Sequence, residues 1–126
     1  MAKTSGIYYL CNCNIDDNMK RIQEIDAYIF DVLVPKYASF DAAHKEDHAL
    51  TVIGQAMKLL DDRKEWLLSQ DVPADEWSVS VDRQVLKMAA ACHDLGLVNG
   101  RDRHHLDSGV IIRNDENLRK WFTSEE

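Results

Sequence analysis

The chain has 126 residues, 45% of them hydrophobic, which bounds it to a single domain, 1–126, with one packed core. Its formal net charge of -7 excludes bulk affinity for nucleic-acid backbones or anionic membranes, since both need a basic face, but leaves room for a local basic pocket that takes a small phosphorylated molecule. Three cysteines, with Cys11 and Cys13 one residue apart, suit neither a disulfide framework nor a C-x-x-C zinc knuckle, and a reducing, cytoplasmic setting is the simplest reading.

Residues 1–15 show no sustained period and are read as an irregular arm, although "IYYL" after Gly6 also fits a short strand. The apolar centre of this arm is too short for a secretion signal, and no apolar run in the chain approaches the ~20 residues of a membrane span. From Asp16 the pattern changes. Met19, Ile22, Ile25, Ile29 and Val32 recur at three and four residues, Asp16 or Asp17 is placed to cap, and Pro35 stands near the end, which predicts a first helix.

A second helix is predicted from about Phe40 to Gln70, capped by Ser39 or Asp41, with Ala49, Val52, Ile53, Ala56, Leu59 and Leu60 as its apolar stripe. "SQDVPADEWSVS" then reads as a loop. The third helix, about Val81 to Leu95, is apolar almost all round through Val85, Leu86, Met88, Ala89, Ala90 and Cys92, the mark of a buried helix, and Gly96 can stop it in the left-handed conformation. After the loop "GLVNGRDR", Leu106, Val110 and Ile111 with Leu118, Trp121 and Phe122 predict one or two short final helices. With no convincing strand pair, the fold class is all-α.

All five histidines fall between residues 44 and 105. His44 and His48 are four apart and share a helix face. Asp94 follows His93 at the end of the buried helix, where the dipole disfavours a carboxylate, so a compensating cation is required. An arginine or a divalent metal would serve, and the neighbouring histidines favour the metal. Neutral imidazoles and carboxylates together suit first-row divalent ions. Arg101 and Arg103, between the histidine clusters, offer forks for phosphate oxygens, the alternative being a solvated face. Cys92 continues the apolar run and reads as core, and the three tryptophans read as packing residues, because no basic stripe accompanies them.

"DAAHKEDHALTV", Asp41 to Val52, followed by "AAACHDLG", Ala89 to Gly96, resembles the HD superfamily of metal-dependent phosphohydrolases. The family's first histidine maps onto His48, with Val52 as the apolar position four residues on, and its His-Asp doublet onto His93 and Asp94. Arg101 to Gly109, "R-x-x-H-H-x-x-S-G", is similar to the region where many members place further histidines. The resemblance spans about residues 40–122. It implies a bundle of about five helices, a divalent ion (Mn, Fe, Mg or Zn) on His48, His93 and Asp94, and hydrolysis of a small phosphorylated compound such as a nucleotide. Asp94 would then serve catalysis as well as the metal. His44, His104 or His105 would move protons or hold a second ion, with the choice between His104 and His105 left open. His44 equally fits a surface histidine in the charged run "HKEDH".

The family's distal aspartate usually sits on a later helix, and the sequence reaches Glu126 before one occurs. Asp107 is the nearest other carboxylate, one helix too early, and "TSEE" resembles the opening of a further helix. A truncated member is therefore expected, and association with a second copy becomes easier. The alternative function is a catalytically inactive HD-fold binding or regulatory module acting through a partner or dimer.

Overall fold

Helix α1 occupies residues 16–28 of the computed structural model, which describes residues 16–41, 44–71 and 82–126. The arm with Cys11 and Cys13, and most of the loop after Gln70 with Trp77, lie outside the described residues. Asp16 and Asp17, expected as caps, both stand within the helix. The chain continues through a π-helical turn, Ile29–Leu33, one further α turn, Val34–Lys36, and a 3-10 turn, Tyr37–Ser39. Pro35 sits at the start of that last α turn, where a missing N–H is tolerated, and the widened turn before it relieves the clash a proline ring makes with the carbonyl four residues back.

The π turn also changes which side chains face inward. Ile25, Ile29, Leu33 and Tyr37 are buried, whereas Met19 and Val32, expected on the stripe, are exposed. A wider turn holds more residues, so Leu33 rather than Val32 follows Ile29 into the core. This series packs against Ala49 and Ile53 of the second helix, Met88, Ala91 and Cys92 of the third, and Leu95 and Leu118 beyond it. Full burial contributes roughly 1.5–3 kcal/mol for each large aliphatic side chain.

Helix α2, Glu46–Ser69, begins later than the periodicity predicts. Phe40 is extended and buries itself against the Tyr37 ring, centroids 5.1 Å apart. The expected caps are engaged elsewhere: the Ser39 hydroxyl donates to the Lys36 carbonyl, and Asp41 holds two side chains described below. Inward residues are Ala49, Ile53, Met57 and Leu60, while Leu59 is 70% exposed, one residue of helical rotation away from Leu60. Trp66 is also exposed, under the Arg63 guanidinium, and is no packing residue. Trp121 does pack, edge-on to Tyr28, with its indole N–H donating to Glu24.

Helix α3, Arg83–Cys92, starts on an Asp82 cap that accepts from the Gln84 and Val85 amides. Met88, Ala90, Ala91 and Cys92 are buried but Ala89 is exposed, so the helix is covered on one side and not all round. It ends at Cys92, short of Leu95, and a 3-10 turn, Leu95–Asn99, follows. The left-handed glycine is Gly100, φ 97°, not Gly96. Gly96 is required for another reason: a Cβ there would fall 2.0 Å from the His104 carbonyl oxygen and 2.5 Å from the Ser108 amide nitrogen.

Helix α4, His104–Asn114, therefore lies directly on the turn after α3, and α5, Glu116–Trp121, is capped by Asp115. Leu106, 63% exposed, and Val110 point outward, because contact at Gly96 turns Ser108 inward, and Ile111 and Ile112 pack against the core. At "TSEE" the Glu126 carboxylate accepts from the Thr123 amide, the reverse half of a capping box. Of the described residues 82% are helical, and none forms a strand, so the fold is the expected all-α bundle of five helices. No helix among the described residues is long and apolar enough to cross a membrane.

Candidate metal centre

Four segments meet at one end of the bundle: the 3-10 turn Tyr37–Ser39 with the residues after it, the first turn of α2, the turn after α3 and the start of α4. His48 projects from α2, and its Nε2 lies 3.3 Å from Nε2 of His93 and 3.5 Å from Oδ2 of Asp94. His93 Nε2 is 2.8 Å from the same carboxylate oxygen. The three residues expected as ligands from the sequence are thus brought together.

The hydrogen bonds behind these atoms decide what they offer. His93 Nδ1 is 2.6 Å from the Ala90 carbonyl oxygen, which can only accept, so Nδ1 carries the proton and a neutral ring presents its lone pair at Nε2. His104 Nδ1 is fixed in the same way by the Arg101 carbonyl, 2.8 Å away, and its Nε2 lies 3.6 Å from Oδ1 of Asp94. Asp94 is 5% exposed, and the imidazoles around it are only partly covered. A buried carboxylate with three imidazole Nε2 atoms within 3.6 Å of its oxygens, two of them with the ring proton held on Nδ1, is an arrangement that a cation relieves. Ligand atoms 2.8 to 3.5 Å apart match those that share one ion through bonds of about 2.0–2.2 Å. The donor set His48, His93 and Asp94 could hold a metal ion.

The other candidates separate. His104 faces Asp94, whereas His105 is exposed and stacks on His104, ring centroids 3.8 Å apart. His44 lies beside the centre, its ring edge-on to His48 at 5.7 Å, and its Nδ1 donates to Asp41 over 2.6 Å. Asp41 also receives the Arg101 guanidinium, through Nε at 3.1 Å and through a second, shorter contact. Arg101 first, and His44 second, pull the Asp41 carboxyl down to about 2. Arg101 thus rests on Asp41 rather than on the centre, and Arg103 is exposed at the cap of α4. Asp107, half-buried in the first turn of α4, is not among the converging groups.

Three contributors escaped the sequence reading. Asp41 was considered only as a cap. Tyr37, fully buried, donates its hydroxyl to the Ala91 carbonyl over 2.7 Å and accepts from the Asp94 amide at 3.3 Å, and burial pushes that hydroxyl's ionisation well above its usual range. Ser108 donates to the His93 carbonyl at 3.1 Å and accepts from the Gly96 amide at 2.8 Å. The signal available for Tyr37 was a phenol on a core-facing stripe, which needs a partner. Cys92 is core as expected, its thiol pushed up to about 12 by burial. A separate cavity of about 570 Å³ between α3, α4 and α5 is mainly apolar, and none of the converging residues lines it. Compared with protein-family models, curated proteins and solved structures, the chain matches none.

Proposed function

We propose that the chain is a metal-dependent phosphohydrolase of the HD type, acting on a small phosphorylated compound such as a nucleotide. The observation that carries this reading is the convergence of His48 from α2 with His93 and Asp94 from the turn after α3 onto one point, with the His93 tautomer preset by the Ala90 carbonyl. When bound, a divalent ion such as Mn, Fe, Mg or Zn supplies positive charge to the phosphoryl oxygens and makes water nucleophilic near neutral pH.

The chain's own residues do the rest. Asp94 would bring a buried negative charge to a cation, and Nε2 of His48 and of His93 would hold the ion beside it. His104, whose Nε2 is aimed at the second Asp94 oxygen while its Nδ1 proton is held by the Arg101 carbonyl, is placed to accept a proton at Nε2 from a water beside that carboxylate. His44 and Arg101, both held by Asp41, border the centre, and exchange of Arg101 from Asp41 to an incoming phosphate would bind the substrate by its fork. The net charge of -7 favours small anions over polyanionic ones.

The test is metal content of protein purified without chelator, together with Mn2+-dependent hydrolysis of p-nitrophenyl phosphate and nucleoside monophosphates. Wild type should carry metal and hydrolyse, and His93→Ala and Asp94→Ala should do neither. Equal, low metal content in all three proteins would sink the reading.

A further inference from the structure

The backbone that carries His93 and Asp94 is not a helix, since α3 ends at Cys92 and leaves its last carbonyls without intrahelical partners. Their replacements are unusual. The Ala90 carbonyl takes the His93 ring N–H, the Ala91 carbonyl takes the Tyr37 hydroxyl, the His93 carbonyl takes the Ser108 hydroxyl, and the Asp94 carbonyl takes the Leu97 amide. The amides of Asp94 and Gly96 return to the same two hydroxyls. Each hydroxyl thus donates once and accepts once, one from the 3-10 turn Tyr37–Ser39 and one from α4, and both side chains are buried.

We propose that Tyr37 and Ser108 are positioning residues for the metal centre, two hydroxyl clips that hold the turn after α3 in the shape that aims His93 Nε2 and Asp94 Oδ2 at His48. This rests on the reading of that cluster as a metal site. The clips touch no ligand atom. They fix the peptide groups on either side of His93 and Asp94, and so the direction in which the two side chains leave the backbone. Outer-shell partners of this kind are worth about 10–100-fold in metal affinity.

The alternative is that the two bonds only stabilise the fold. Tyr28, in α1, supplies the matched control, because it is also a tyrosine whose hydroxyl makes a tertiary hydrogen bond, 2.5 Å to Asp115, away from the turn. Co2+ is titrated into the metal-free full chain and followed by its visible absorption, for wild type, Tyr37→Phe, Ser108→Ala and Tyr28→Phe, at a temperature where circular dichroism shows each to be folded. Tyr37→Phe and Ser108→Ala should each bind Co2+ about tenfold more weakly or worse, with altered absorption bands, while Tyr28→Phe stays within about twofold of wild type. Should Tyr37→Phe not fold, Ser108→Ala, which removes a single oxygen, decides. Wild-type-like Co2+ affinity in Ser108→Ala, or an equal loss in Tyr28→Phe, overturns the inference while leaving the metal site standing. Absence of Co2+ binding by wild type overturns both.

Discussion

Nε2 of His93 stands 3.3 Å from Nε2 of His48, although 45 residues separate the two in the chain. At this distance the two nitrogens can share a proton or, with both lone pairs turned inward, a metal ion. His48 sits in the first turns of α2 and is partly exposed, so His48→Ala removes a ligand without opening the core. Mn2+ affinity measured by calorimetry should fall by more than the ~10–100-fold of an outer-shell change, with the helical circular dichroism unchanged. Unaltered affinity would show that His48 is a bystander.

Two glycines should respond in opposite directions. At Gly96 an added Cβ meets backbone atoms of α4 at 2.0 and 2.5 Å, which cannot rotate away, so Gly96→Ala should lower stability by at least about 1–3 kcal/mol in urea unfolding. Gly54 lies within α2 with nothing within 4 Å of a Cβ, and Gly54→Ala should raise stability by about 0.5–1 kcal/mol. A neutral Gly96→Ala would contradict the close approach of α4 to the turn.

Acid should loosen the Asp41 cluster. Arg101, then His44, hold this carboxyl at about 2 against an ordinary 3.8, so the stability it contributes is whole above about 3.8 and is lost as the pH falls towards 2. Urea midpoints taken at pH 5 and pH 2.5 should differ less for Asp41→Asn than for wild type. Because the group is fully exposed, added salt should shrink that difference. A difference that salt leaves intact would mean that another carboxylate is responsible.

Asp115 joins two elements through one side chain. One oxygen caps α5 by accepting from the Asn117 and Leu118 amides at 2.8 and 3.1 Å, and the other accepts the Tyr28 hydroxyl of α1. Asp115→Ala should cost about 1–2 kcal/mol in thermal or urea unfolding, the upper range for loss of a cap, and Asp115→Asn, which keeps an acceptor, should recover part of it. Equal losses in both variants would assign the effect to charge alone.

The parts of the fold that follow local rules were legible in the sequence. The 3.6-residue period located α2 and α3, and the doublet His93-Asp94 with His48 marked the groups that the bundle gathers. What failed was phase. Val32 lost its place to Leu33 because a π turn intervenes, and Leu106 and Val110 turned outward because α4 is registered by its contact with Gly96. That same registration chose His104 over His105, a choice about 100° of helical rotation wide. The hydroxyls of Tyr37 and Ser108 were invisible for a further reason: their partners, Ala91 to Gly96, lie far away in sequence, and no periodicity pairs a phenol with a carbonyl 54 residues on.

The π turn at Ile29–Leu33 thereby acquires a role beyond accommodating Pro35. Tyr37 lies downstream of it, and its hydroxyl meets the Ala91 carbonyl only because the wider turn has set back the rotation of α1. Wound as a regular α-helix, the same residues would swing Tyr37 through about 100°, away from the Ala91 carbonyl. The turn works as a vernier: it takes up one residue of length, and so sets the rotation at which the Tyr37 hydroxyl arrives at the Ala91 carbonyl.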